Sequence, residues 1–303
     1  MPHARSRPTV AYLTKRSAWS VFVDQGQDDH VRKLVARGDP TVARLRTSHD
    51  AHERTVEHVM EAFEELGVRA VEIGPTHRDL RSERFDLVVT VGGDGTLLRA
   101  SHHVADVPVL GINSAPKSSI GFFCGAKNGE VHARVARALE GRLAKSELSR
   151  MQVSVNGKVA HRRVLNDALF CHVSPAATSR YLVELGKHAE EHKSSGFWIG
   201  PAAGSTAAQR SAGGKVLPLG SKALQLVVRE PYTPQGNRYA LLRKLVRPGE
   251  RLVVRSKMRS AAIFLDGPDE VVHVAYGDVV EFTRSDQPLC LLGISPRRGR
   301  ASW

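Results

Sequence analysis

The grouping in this chain best suited to chemistry is Val91-Gly92-Gly93-Asp94-Gly95-Thr96, a carboxylate set among glycines. Glycines let the backbone approach phosphate groups, and successive N–H groups there form a cradle for anions. A carboxylate in such a cradle repels phosphate, so Asp94 must contact something else. A hydroxyl nucleophile fits, with Asp94 accepting its proton as a phosphoryl group arrives. Gly92, Gly93, Gly95 and Thr96 would then face the donor's phosphates. A plainer reading keeps the turn and makes Asp94 the cap of the next helix. No Gly-Lys-Ser/Thr follows the glycines, which excludes a P-loop.

Two further segments carry polar groups in patterns that suit a sugar or a flat ring. Asn166-Asp167 offers donors and acceptors for a ribose diol, although polar pairs also mark ordinary turns. The stretch from Ser194-Ser195-Gly196 through Pro201-Ala202-Ala203-Gly204-Ser205-Thr206-Ala207-Ala208 to Ser211-Ala212-Gly213-Gly214 is dense in small residues. It has too little apolar area to build a core. It can let a flat ligand lie on the backbone, with Ser205, Thr206 and Ser211 supplying hydroxyls. The alternative is a flexible linker, against which Phe197, Trp198 and Ile199 anchor its start. Lys117, Arg180, Arg210 and Lys215 lie near these segments and are candidates to neutralise phosphate, each also readable as a surface charge. Asp266-Gly267 reads as a turn between strands.

The elements that must position these residues change character along the chain. Residues 8–13 read as a strand, and 14–48 as a polar, poorly patterned excursion. Asp50 with Glu53 looks like a capping box, and Val56, Val59, Met60 and Phe63 recur at helical spacing up to Gly67. Residues 68–73, 86–91 and 107–112 are strand-like, with a helix after the glycine turn. This alternation argues for a parallel α/β layer. A helix follows over 129–139. Beyond Met151 the pattern becomes short strands and turns, with Asn156-Gly157 as a hairpin signal. The expected fold is an α/β nucleotide-binding domain with a parallel sheet over 1–125, to which 285–303 could return. A β-rich, β-sandwich-like domain is expected over 126–284.

The formal net charge of +13 favours polyanions, but the basic residues are dispersed and aromatics make up only 6%. That argues against a nucleic-acid platform and for small polyanions. No apolar run spans a membrane and residues 1–8 lack a secretory pattern. Cys124, Cys171 and Cys290 are spaced for neither disulfides nor zinc, and the histidines show no metal spacing, so reduced thiols in a cytoplasmic protein are expected.

With its three motifs in this order, the chain resembles the NAD kinase family over about Asp86 to Leu292. Val109-Leu110-Gly111-Ile112-Asn113-Ser114, Leu165-Asn166-Asp167, Ser194-Ser195-Gly196, Ala202 to Ala208 and Leu224-Gln225 through Val228-Arg229-Glu230-Pro231 resemble its plant NADH-kinase branch. The resemblance implies a kinase that uses ATP, with Mg2+, to phosphorylate the adenosine ribose 2′-hydroxyl of NAD or NADH, its site in the cleft between the domains. Asp94 would be the catalytic acid, and Asn166 and Asp167 would hold the dinucleotide. Thr206, Ala207 and Ser211 would line the same site, with Gly204 and Ser205 keeping that loop tight. It also implies a homo-oligomer with no membrane or specific nucleic-acid partner. Four departures fall on the acceptor side: Asp167 for the usual Glu, Ser195 for an Asp that contacts the acceptor base, Ala208 for a Tyr, and a longer loop over 115–120. Loss of a carboxylate there would weaken attraction for the cationic oxidised nicotinamide. A diacylglycerol-type lipid kinase and a dinucleotide-binding regulator without turnover are the competing readings, the former disfavoured by Leu97-Leu98-Arg99 after the turn.

Overall fold

The computed structural model describes residues 7–26, 28–74, 79–234 and 238–295. The basic start of the chain and the end of the 285–303 segment lie outside them. The chain forms two compact units, one of residues 1–145 with 290–294, the other of 146–289 with 295–303.

The first unit is built on a seven-stranded sheet. Strands β1 (Thr9–Thr14), β2 (Arg69–Glu72), β3 (Leu87–Gly92), β4 (Val109–Asn113) and β5 (Cys124–Lys127) pair in parallel, and β6 is Lys145–Leu148. The order is β2-β1-β3-β4, then the late strand Leu289–Leu292, then β6, with β5 also on β4. Strands β3 and β4 are buried along their whole length, as the near-continuous apolar runs of parallel strands require. Helices α1 (Asp29–Ala36), α2 (Leu45–Glu65), α3 (Asp94–Ser101) and α4 (Val131–Leu139) belong to the same unit. Val59, Phe63, Val89, Leu110, Ile112 and Val135 share one core.

Two expectations change here. Asp50 and Glu53 do not cap a helix, because α2 starts at Leu45 and the intervening turn places both acids inside it. Asp50 accepts from Arg46 Nε at 3.1 Å and Glu53 lies 3.5 Å from His49 Nδ1, both pairs one helical turn apart. The change of unit falls at 145–146 instead of near 125, because β5 pairs with β4 and α4 packs on α2.

The second unit has two six-stranded antiparallel sheets. Its strands are β7 (Met151–Val155), β8 (Lys158–Val164), β9 (Ala168–His172), β10 (Ser179–Leu185), β11 (His188–Ser194) and β12 (Phe197–Gly200). They continue as β13 (Leu224–Val228), β14 (Arg243–Val246), β15 (Leu252–Ser256), β16 (Ala261–Leu265), β17 (Glu270–Val274) and β18 (Val279–Arg284). The sheets run β11-β10-β15-β18-β7-β8 and β14-β13-β12-β9-β16-β17. Alternating residues from both, among them Val153, Tyr181, Val254 and Phe282 against Phe170, Phe197, Leu226 and Ile263, form one core. Asn156 and Gly157 both take positive φ, 49° and 76°, as the tight turn between β7 and β8 demands. The late strand Leu289–Leu292, β19, then returns to the first unit, where Leu291 pairs with Val109.

Candidate functional site

In the first unit, the glycine turn lies at the carboxyl edge of the parallel sheet, where open α/β sheets bind ligands. Gly92 ends β3, Gly93 precedes α3, and Asp94 opens that helix. Asp94 makes no capping bond to its own helix. Its carboxylate accepts from Phe122 N at 2.9 Å and Phe123 N at 2.8 Å. Two backbone donors thus fix its orientation, while lone pairs remain on both oxygens. Small residues are needed here for space. A side chain on Gly92 would collide with Thr96, and one on Gly93 would begin 2.5 Å from Ser119 Oγ. Asn113 ties the 115–120 loop, donating from Nδ2 to the Ser119 carbonyl at 3.0 Å.

In the second unit, Asn166 and Asp167 form the link between β8 and β9, and Asp266 holds it. The Asp266 carboxylate accepts from Leu165 N at 2.8 Å, Asn166 N at 2.6 Å and Asp167 N at 3.0 Å. Asp266 itself takes φ 52° in its turn. Asp167 is 6% exposed, and burial, with the Asp266 charge second, pushes its carboxyl up to about 7. Asn166 Nδ2 donates to Asp167 Oδ2 at 3.3 Å.

The small-residue segment packs directly on this link and is no flexible linker. Side chains on Gly200 or Gly204 would strike the Asn166 carbonyl. Ser205 is fully buried; its hydroxyl donates to Ala202 O at 2.7 Å and accepts from Leu217 N at 2.9 Å. It therefore fastens the loop and has no hydroxyl to offer a ligand, against the reading of its hydroxyl from the sequence. Thr206 and Ala207 are half-buried and Ser211 is exposed. Gln209, which sequence patterns did not single out, and Gln225, which they gave only within the family resemblance, complete the group. Gln209 Nε2 lies 3.4 Å from the Asn166 carbonyl, and Gln225 Nε2 donates to Gln209 Oε1 at 3.1 Å.

Ser195 stands apart from that group. It lines a cavity of about 300 Å³ together with Leu169, Cys171, His172, Arg229 and Phe264. Arg229 accepts Ser195 N on its carbonyl at 3.1 Å, and its guanidinium Nη1 lies 3.4 Å from the Ser195 carbonyl. Of the cations read from the sequence, Lys117, Arg180, Arg210 and Lys215 are all exposed. Lys15, half-buried beside Gly92, was not legible as a site residue from its neighbours in sequence. Among the described residues no cluster of three or more His, Cys, Asp or Glu could hold a metal, and no helix is long and apolar enough to cross a membrane.

Comparison with known proteins agrees with this geometry. The family model for the ATP-NAD kinase N-terminal domain matches residues 28–143. The chain is 37% identical over 226 residues to the probable NADH kinase of Oryza sativa subsp. japonica, covering 67% of this chain and 69% of that protein. It is 35% identical over 265 residues to the NADH kinase of Arabidopsis thaliana, covering 78% and 83%. The crystal structure of an Archaeoglobus fulgidus NAD kinase in complex with ATP matches with a TM-score of 0.67 at 20% identity, over 96% of each chain. Yeast NADH kinase complexed with NADH matches with a TM-score of 0.69 at 14% identity, over 96% of this chain and 85% of that one. The fold is thus one used by dinucleotide kinases. The chain belongs to the NAD kinase family. It is an ATP-dependent enzyme that phosphorylates NAD(H) to NADP(H), which sets aside the lipid-kinase and non-catalytic readings.

Proposed function

We propose that Asp94 accepts the proton of the adenosine ribose 2′-hydroxyl while the Gly92–Thr96 turn faces the phosphates of ATP. The bond from the γ-phosphorus to the ADP oxygen breaks, the bond to the 2′-oxygen forms, and the hydroxyl proton leaves through the carboxylate. The observation that carries this is the half-buried carboxylate of Asp94, held by Phe122 N and Phe123 N within the glycine turn at the carboxyl edge of the sheet. Asn166, Asp167, Thr206, Ala207 and Ser211 hold the acceptor, and Gly204, Ser205 and Asp266 keep that surface in shape. Magnesium would be held mainly by the donor's phosphate oxygens, as is usual for this ion. The enzyme is further proposed to be a cytoplasmic homo-oligomer without a specific nucleic-acid partner. Asp94→Asn should lower kcat by about 10²–10⁴-fold while dinucleotide binding persists. Steady-state rates and calorimetric binding check this, and full turnover in the variant removes Asp94 from its role.

A specific observation also supports preference for NADH. Where the family's usual carboxylate would stand there is Ser195, and the cavity it lines carries the Arg229 guanidinium. A cation there disfavours the positively charged oxidised nicotinamide, and the plant relatives are named NADH kinases. Arg229→Gln should raise kcat/KM for NAD relative to NADH. An unchanged ratio removes Arg229 from acceptor choice.

A further inference from the structure

Lys15 is the first residue after β1, and its N–H donates to the Val91 carbonyl at 3.0 Å. Thr14 pairs with Val91, and Gly92 with Asn113, so Lys15, Gly92 and Asn113 form one row across the carboxyl edge of the sheet. The Lys15 Cβ lies 3.3 Å from the point where a side chain on Gly92 would begin. The lysine stem therefore starts against the glycine turn. The residue is half-buried, and burial lowers its proton affinity. Among the described residues no carboxylate forms an ion pair with it. A partly desolvated ammonium without a protein anion beside it gains most from an anion brought by a ligand.

His52 of α2, 2% exposed, lies beside the Lys15 backbone, and its Nδ1 lies 3.0 Å from Ser114 Oγ. Burial, with the Lys15 charge second, lowers His52 to about 4, so it is neutral near pH 7 and offers one donor and one acceptor. Lys15 and Ser114 thus flank an uncharged ring, which leaves the lysine charge uncompensated from that side.

We propose that Lys15 binds phosphate oxygens of the ATP donor at the Gly92–Gly95 turn and steadies the phosphoryl group during transfer. This rests on the turn being the donor's phosphate site. Lys15 supplies charge, while the proton of the acceptor hydroxyl goes to Asp94. Its worth lies in the negative charge gathering on the phosphoryl oxygens and on the departing ADP.

The test separates donor from acceptor. Lys15→Met should raise KM for ATP about 10- to 100-fold, the range of a lost charge-assisted hydrogen bond. KM for NADH should stay within about twofold, since the change sits on the donor side, and Lys15→Arg should restore part of the loss. An equal rise in both KM values, or no rescue by arginine, marks Lys15 as merely structural and overturns the proposal. A second measurement uses the unaltered enzyme: acylation of Lys15, followed by mass spectrometry, should be blocked by tripolyphosphate and by ATP but not by adenosine. Labelling that ignores tripolyphosphate also overturns it. Gly93→Ala distinguishes the two levels of failure. If that variant leaves KM for ATP unmoved, the turn is not the phosphate site. If it raises KM and Lys15→Met does not, only the assignment of Lys15 fails.

Discussion

Two carboxylates, Asp167 and Asp266, meet at the link after β8. Three backbone N–H groups converge on Asp266. Asp167, buried beside the Asp266 charge, is raised from 3.8 to about 7. The unfolded chain therefore loses this proton at lower pH than the native one. The stability that Asp167 lends is full below about pH 4 and is lost as pH rises towards about 7. Asp167→Asn, which cannot ionise, should gain stability over the parent from pH 4 upward, with the difference in Tm levelling off above about pH 7. Each pK unit is worth roughly 1.4 kcal/mol, so the gain should be measurable by calorimetry. A flat difference across that range would show that Asp167 is not shifted. Asp94 and its glycines were legible in the sequence because the motif is contiguous and its chemistry is local. Gln209 and Lys15 were not, because each acquires meaning only from a neighbour distant in the chain, Asn166 and Gly92; Gln225 stood only within the family resemblance, its bond to Gln209 out of view.

At the scale of elements, close backbone approach is the recurrent device. Gly204 exists because the Asn166 carbonyl lies where a side chain would start. Gly204→Ala should push the 202–206 turn off the Asn166–Asp167 link, raising KM for the dinucleotide tenfold or more while KM for ATP moves little. Steady-state titration of each substrate measures this, and an unaltered dinucleotide KM would mean the loop lies clear of the acceptor. His52 gives α2 a second testable property. Its lowered proton affinity means stability present above its ordinary value of 6.5 and lost as pH falls through about 4. His52→Gln should flatten the acid limb of unfolding between those values, followed by near-ultraviolet circular dichroism against pH. The strands read most clearly from sequence were those with alternating or continuous apolar residues, such as β3, β4 and β13. Strand β11, His188–Ser194, was missed because it is an edge strand carrying charge outward, with only His192 and Ser194 buried. The start of α2 was misplaced because Asp50 and Glu53 satisfy a capping pattern and also make good pairs inside a helix, and only the preceding turn at 40–42 decides between them.

At the scale of the whole molecule, the parallel-then-antiparallel change was readable, since periodicity switches between the halves. The exact border was not, because helix α4 and strand β5 carry no label saying which sheet they serve. The chain's last strand shows the same limit: a short apolar run reveals burial but not its partner. Deleting residues 290–303 should strip β6 of its neighbour and leave the Val109 end of β4 unpaired, while β5 still covers residues 111–113. Such a variant should appear in the insoluble fraction or melt well below the parent by light-scattering-monitored heating. Equal solubility and Tm would show that β19 is dispensable.

The insertion of β19 between β4 and β6 has a consequence for synthesis. A ribosome delivers residues at about 5–20 per second, so the first half of this protein emerges long before the strand that completes its sheet. Until β19 itself emerges, the nascent chain carries an open seam beside the Val109 end of β4. Resistance to added protease should therefore arrive in both halves together and late, once β19 has emerged, with no stage at which the amino-terminal half stands finished by itself.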